Sequence, residues 1–272
     1  MFKPFKKLGK GNFASVYEVE RITDHAKFAV KAFSKQSCFN AKNGKDSLIN
    51  ELTIMRELSL DSHNNLLRLE GVFESDNSIY VVLDLLTGGQ LFHKIQQKNG
   101  HFSAEEVKEF MFGLLGGLNK MHSQRIMHRD LKPENIMLRD SSSMSPVIVD
   151  FGLATNVDLE KYLFFRCGTP GYVAPEIIEL NESKHIEPEC DMFSAGVIFH
   201  ILLTRKAVFE GSRYEEVYKK NKEMKINLES ERYANIDPQA LNLLSRMLKA
   251  KPQERIKAEE ALNHEYFRSL IA

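Results

Sequence analysis

The hydrophobic pattern changes its period once, around Thr87-Gly88-Gly89, and that change constrains the fold more than any other feature of the chain. Residues 5–83 are strand-like with one helix. Residues 15–19 (SVYEV) alternate, 27–32 form a short β-rich run, and 78–83 (SIYVVL) form another. The exception is 46–58, where Leu48, Leu52, Met55 and Leu58 recur at helical spacing behind Asp46 as a cap. Beyond Gly89 long helices take over. Ser103 followed by Glu106 spells a capping box opening a helix toward His122, and Asp237-Pro238 sets a cap and a first-turn proline ahead of residues 240–248. The expected fold class is α+β, a small mostly-β lobe joined near 83–87 to a larger mostly-α lobe. No internal repeat interrupts this division, and Ser141-Ser142-Ser143 reads as a surface loop.

Composition then removes whole classes of function. A hydrophobic content of 43% supports a sizeable core, and 37 basic against 37 acidic residues leave no global footprint for nucleic acid or an acidic membrane. The three cysteines, Cys38, Cys167 and Cys190, are odd in number and lack CxxC spacing, which argues against a disulfide framework and a structural zinc site. The longest apolar candidate, 195–203, contains His200 and falls short of the roughly 18 residues of a membrane span. No signal-peptide core follows Met1. The expectation is a soluble, intracellular, cytoplasmic protein without nucleic-acid or membrane partners.

Four stretches carry chemistry. In Leu8-Gly9-Lys10-Gly11-Asn12-Phe13-Ala14-Ser15-Val16 the glycines could serve any turn. A dinucleotide fingerprint would open a helix and a Walker loop would end in Gly-Lys-Ser/Thr; neither is present, which leaves a strand-turn-strand flap whose amides can cover phosphates. Phe28-Ala29-Val30-Lys31 ends a strand in a lysine, ordinarily a solvated edge residue. If that strand is buried, Lys31 needs a counter-charge, and Glu51 on the inward side of the helix supplies one. His128-Arg129-Asp130-Leu131-Lys132-Pro133-Glu134-Asn135 gathers a proton acceptor in Asp130, a charge neutraliser in Lys132 and, in Asn135, a carbonyl ligand for a hard cation. Finally, Asp150 of Asp150-Phe151-Gly152 presents a carboxylate at the end of the apolar run Val147-Ile148-Val149, a natural second ligand for Mg²⁺.

With Ala174-Pro175-Glu176, Asp191 and Arg255 in Lys-Pro-Gln-Glu-Arg, these stretches fall in an order that resembles a eukaryotic protein kinase over essentially the whole chain. The resemblance implies a bilobal catalytic domain over 1–272, with the N-lobe, its one regulatory helix and the hinge in 1–86 and the C-lobe in 87–272. It implies ATP and Mg²⁺ as cofactors. Asp130 would be the catalytic base, Lys132 would contact the γ-phosphate, Asn135 and Asp150 would hold Mg²⁺, and Lys31 would contact the α/β-phosphates while paired with Glu51. The flap, Leu8, Gly9, Lys10, Gly11, Asn12 and Phe13, would cover the nucleotide. Adenine would lie between Val16, Ala29 and Met137, with backbone bonds from Asp84 and Leu86 behind a Leu83 gatekeeper, and Gln90 and Glu134 at the ribose and substrate edge.

The stretches Asp130-Leu-Lys-Pro-Glu-Asn and Gly168-Thr169-Pro170-Gly171-Tyr172 are similar to the serine/threonine pattern, implying protein substrates with serine or threonine hydroxyls. Thr87-Gly88-Gly89-Gln90-Leu91-Phe92 and residues 167–176 are most similar to the calcium/calmodulin-dependent and calcium-dependent kinases. Neither an EF-hand pattern nor a basic amphipathic calmodulin target is present, so calcium control is expected only through segments outside this chain, which reads as an isolated catalytic domain. The alternative, a nucleotide-binding scaffold, is disfavoured by intact Lys31, Asp130, Asn135 and Asp150.

Three departures qualify the resemblance. Ala14 stands at the third loop glycine, with little expected loss. Gln90 replaces a glutamate, which predicts a weakened preference for arginine three positions before the target. Phe165 stands where many relatives carry a phosphorylated threonine, so the loop is expected to be ordered by packing of Leu163, Phe164 and Phe165 instead of by phosphate on Arg129. Thr169 reads as structural, Cys167 as an inert thiol, Lys219-Lys220-Asn221-Lys222 as a solvated helix face, and His185, His200 and His264 as ordinary core or surface residues.

Overall fold

Strands in the first third build one sheet, whose central strands carry the buried apolar residues. A computed structural model describes residues 2–11, 14–180 and 186–271; Asn12, Phe13 and His185 lie outside them. Strands β1 (Phe2–Lys10), β2 (Ala14–Arg21), β3 (Lys27–Ser34), β4 (Leu69–Glu74) and β5 (Ser78–Asp84) form an antiparallel sheet in the order β1-β2-β3-β5-β4. Its register aligns Val16, Lys31 and Val81 in one row and Glu18, Ala29 and Leu83 in another. On the opposite face Val19, Phe28, Val30 and Val82 make a small core of their own.

The N-lobe contains two helices where the sequence predicted one. The short α1 (Lys35–Phe39) is capped by Ser34, whose hydroxyl accepts from Ser37 N–H, and it packs beside α2 (Gly44–Leu60). That second helix starts before the expected Asp46. Asn43, at φ 58°, ends the preceding turn in the left-handed region, so Asp46 falls in the first turn, where its charge complements the helix dipole rather than capping it. Leu48, Ile54, Met55 and Leu58 are buried, along with Glu51.

The C-lobe comprises α3 (Leu91–Gln97), α4 (Ala104–Ser123), short strand pairs β6 (Ile126–Met127) with β9 (Thr155–Asn156) and β7 (Ile136–Leu138) with β8 (Pro146–Ile148), then α5 (Pro175–Ile178), α6 (Glu189–Thr204), α7 (Tyr214–Glu223), α8 (Pro238–Met247), α9 (Ala258–Leu262) and α10 (Arg268–Ile271). The capping box is made as spelled: Ser103 Oγ accepts from Glu106 N–H at 3.1 Å, and Glu106 Oε2 accepts from Ser103 N–H at 2.9 Å. Asp237 caps α8 by accepting from Gln239 N–H at 2.7 Å. Helix α6 is buried on nearly every side, so no amphipathic stripe marks it in the sequence. Arg255, also buried, forks onto Glu176 at 2.7 and 3.0 Å and ties the end of the lobe to its middle.

Two backbone junctions fasten the lobes. After β5, Thr87 N–H donates to Arg139 C=O at 3.0 Å and Gly88 N–H to Leu138 C=O at 3.2 Å. Between α2 and β4, Ile148 N–H donates to Asn65 C=O at 2.8 Å and Leu67 N–H to Ile148 C=O at 3.1 Å. No helix among the described residues is long and apolar enough to cross a membrane. All three cysteines are free, Cys38 and Cys190 buried and Cys167 half-buried.

Candidate active site

A cavity of about 500 Å³ lies between the lobes. The sheet rows described above form its roof: Val16, Ala29, Lys31 and Leu83 line it with Leu8 and Gly9 from the flap. Asp84, Leu86 and Gln90 line the hinge side, Met137 the floor, and Glu51 and Asp150 the polar end. Leu67 and His93, which belong to no motif in the sequence, also line it, as do Val149, which precedes Asp150, and Val81, the partner of Lys31 in the sheet. Lys10, Gly11 and Glu134 do not line the cavity itself. Gly11 N–H donates to Ala14 C=O at 2.8 Å, and Asn12 and Phe13 lie outside the described residues.

At the polar end Lys31 Nζ donates to Glu51 Oε1 at 2.8 Å. Burial opposes the ammonium charge, but Glu51 and Asp150 outweigh it, and the Lys31 pKa is raised above the ordinary lysine value. The lysine is therefore a fixed cation aimed along the cavity.

The catalytic loop is held from beneath by Asp191, which is fully buried at the start of α6. Its two oxygens accept the N–H groups of His128 and Arg129, each at 2.8 Å, and His122 Nε2 lies 3.1 Å away. Burial works to raise this carboxyl's pKa, but His122 and His128 prevail and hold it below the ordinary aspartate value. Arg129, at φ 66°, takes the left-handed conformation that turns both N–H groups onto one carboxylate. His128 joins this loop to the strand before Asp150: its Nδ1 accepts from Asp130 N–H at 3.3 Å, which leaves Nε2 to donate to Val149 C=O at 3.0 Å. Its ring meets the buried Phe151 edge-on at 5.8 Å.

Both carboxylate oxygens of Asp130 are engaged. Thr169 Oγ1 donates to Oδ1 at 2.7 Å, while Lys132 Nζ at 2.8 Å and Asn135 Nδ2 at 3.1 Å donate to Oδ2. Lys132 also donates to Thr169 Oγ1 at 2.8 Å, and Asn135 Nδ2 to the Asp130 carbonyl at 2.9 Å. Thr169 is structural, as expected, but what it structures is the candidate base itself. Gln90 Nε2 donates to Glu134 C=O at 3.1 Å, and the buried Glu134 Oε2 has no partner among the described residues.

The segment after Asp150 departs from the expected packing. Phe165 is 36% exposed, while Leu163 and Phe164 are half-buried. The order comes from Arg129, 3% exposed, whose Nε donates to Leu153 C=O at 2.9 Å and Nη1 to Phe164 C=O at 2.7 Å, with its guanidinium 5.2 Å from the Tyr162 ring centre. A buried guanidinium must satisfy its donors, and here two of its N–H groups do so on backbone carbonyls. Asn50 of α2 donates to Ala154 C=O at 2.8 Å, so the helix carrying Glu51 also grips this segment.

The protein kinase domain family model matches residues 2–267. The chain is 35% identical over 261 residues to a probable serine/threonine-protein kinase, fhkC, of Dictyostelium discoideum, covering 96% of this chain and 43% of that protein. It is 36% identical over 263 residues to calcium-dependent protein kinase 5 of Plasmodium berghei (96% and 44%) and 34% identical over 262 residues to calcium-dependent protein kinase 11 of Arabidopsis thaliana (95% and 51%). The chain thus spans about half the length of these curated relatives. A cleft of this geometry and a family match along nearly all of the sequence lead to one conclusion: the chain belongs to the protein kinase domain family.

Proposed function

We propose that this chain is a serine/threonine protein kinase catalytic domain, with its N-lobe and hinge in 1–86 and its C-lobe in 87–272, transferring the γ-phosphoryl group of Mg-ATP to protein hydroxyls. The observation that carries the proposal is the joint arrangement of the Lys31–Glu51 pair at one end of the cleft and Asp130, Lys132 and Asn135 in one hydrogen-bonded group.

Adenine lies between Val16, Ala29 and Met137, bonded to the Asp84 and Leu86 backbone beside Leu83, with Gln90 and Glu134 at the ribose and substrate edge. The flap, from Leu8 to Phe13, covers the phosphates, and Lys31 holds their α/β groups. Asp130 orients the acceptor hydroxyl and takes its proton, and Lys132 offsets charge on the transferring group. Asn135 and Asp150 are hard oxygen donors suited to Mg²⁺, and both Asn135 bonds to Asp130 run through Nδ2, which leaves its carbonyl oxygen for the metal. Bound there, Mg²⁺ supplies neutralisation of phosphate charge.

The neutral Gln90, tied to the Glu134 backbone, weakens recognition of an arginine three positions before the target, and the unpartnered Glu134 oxygen retains part of it. A peptide library reads this directly; equal turnover with and without that arginine overturns it. The relatives' names carry calcium dependence. No EF-hand pattern occurs in these 272 residues, so a calcium sensor regulating this site acts from outside them. A cytoplasmic setting, where ATP is at hand, accords with three free cysteines.

The deciding experiment is transfer from Mg-ATP to a serine peptide bearing an upstream arginine, beside an Asp150→Ala control. Transfer that disappears in the control is expected. Mg-ATP binding without transfer would overturn the proposal in favour of a nucleotide-binding scaffold.

A further inference from the structure

Helix α7 reads YEEVYKKNKE, a polar sequence in which a buried residue is unexpected. Its lysines do face solvent, but Asn221 in their midst is 0% exposed, a correction to the solvated face read from the sequence. Its side chain grips the segment that follows Thr169. Oδ1 accepts from Gly171 N–H at 3.0 Å, and Nδ2 donates to Val173 C=O at 3.1 Å. One turn earlier, Val217 closes over Gly171, where a β-carbon would sit 3.2 Å from Val217 Cγ1. Gly171 has φ 90°, which L side chains rarely adopt, so the turn presents its N–H to Asn221 only because the residue is glycine.

The neighbouring polar groups are taken as well. Ser194 of α6 donates to Tyr172 C=O at 2.8 Å, and the N–H groups of Tyr172 and Val173 both donate to Thr169 C=O at 3.0 Å. Thr169 in turn donates to Asp130. Residues 169–173 are thus one clamped unit, with the candidate base at one end and Asn221 at the other.

We infer that Asn221 is a positioning residue for the protein acceptor: by fixing the backbone of 171–173 it sets the platform on which the acceptor chain lies beside Asp130. The inference rests on the kinase proposal above and names the part of that site which selects the acceptor. Asn221 touches neither the nucleotide cavity nor Asp130, so its effect belongs to the acceptor side and not to ATP binding.

The test is Asn221→Leu, which keeps the volume, removes both bonds and leaves two buried backbone groups unpaired. The expected result is a KM for a serine peptide raised about tenfold, with KM for ATP and acceptor-independent ATP hydrolysis unchanged. Discrimination among peptides differing at the residue after the target should also flatten. An unchanged peptide KM, or peptide KM, ATP KM and hydrolysis worsening together, would overturn the inference. Amide hydrogen exchange reads the clamp without any phosphate transfer. Faster exchange at 171–173 in the variant, with α4 and α6 unaltered, supports it, and unchanged protection there overturns it. A parent protein that transfers no phosphate to peptide counts against the kinase proposal, while exchange still decides the clamp.

Discussion

Asp130 accepts three side-chain hydrogen bonds, and the one least visible in the sequence comes from Thr169, 39 positions away. Thr169→Val keeps the shape and deletes the donor, leaving Asp130 free to rotate from its aim. We expect transfer to fall on the order of a hundredfold, with Thr169→Ser restoring most of it, checked by single-turnover kinetics at saturating ATP. A second residue is notable for a bond it lacks. The Tyr162 hydroxyl is buried without a partner among the described residues, although its ring stacks on Arg129. Tyr162→Phe removes an unsatisfied polar group and retains the ring, so the thermal midpoint should hold or rise, equivalent to about 1 kcal/mol. A clear fall would mean that the hydroxyl has a role the contacts do not account for. At this scale Lys31, Glu51, Asp130, Asn135 and Asp150 were legible because charge and amide chemistry is carried by residue type. Thr169 was not legible as the neighbour of Asp130, because a lone threonine has many uses.

At the scale of elements, the segment between Asp150 and Cys167 is held by Arg129 through the Leu153 and Phe164 carbonyls. Two of the donors that a loop phosphate would engage, Arg129 Nε and Nη1, already have carbonyl partners, so phosphatase treatment should leave peptide turnover unchanged. Turnover that drops severalfold, and returns after rephosphorylation mapped to this segment, would contradict that structure. Helix starts were legible where a cap spells itself out locally, as at Ser103 and Asp237. The cap of α2 was placed three residues late, at Asp46, because Asn43 ends its turn through a left-handed backbone instead of a side-chain cap, and sequence type signals that only weakly. The role of α7 was missed for a related reason: its lysines describe its outer face and conceal what the inner face grips.

At the scale of the whole molecule, the C-lobe core closes over His200, which is 0% exposed and bonded to Lys206 C=O and the Tyr233 hydroxyl. Burial pushes its pKa down from 6.5 to about 4, because a charged imidazole would lose its water there. Between those values the unfolded chain binds a proton that the folded chain refuses. Stability is therefore full above about pH 6.5 and should fall with acidification toward pH 4, by about 1.4 kcal/mol per unit attributable to this group. Urea unfolding at several pH values checks this, since His200→Gln should flatten the slope in that window; an identical slope would assign it to other groups. The α+β division, the cleft's chemical inventory and the family were accessible from local patterning, since hydrophobic period, caps and charged motifs are properties of short stretches. The clamp from Asn221 through residues 171–173 to Asp130, the carbonyl anchoring of Arg129 and the neutral burial of His200 required the folded chain. Each depends on hydrogen-bonding partners or burial supplied by segments distant in sequence, and no short stretch encodes which distant backbone group will come to lie against it.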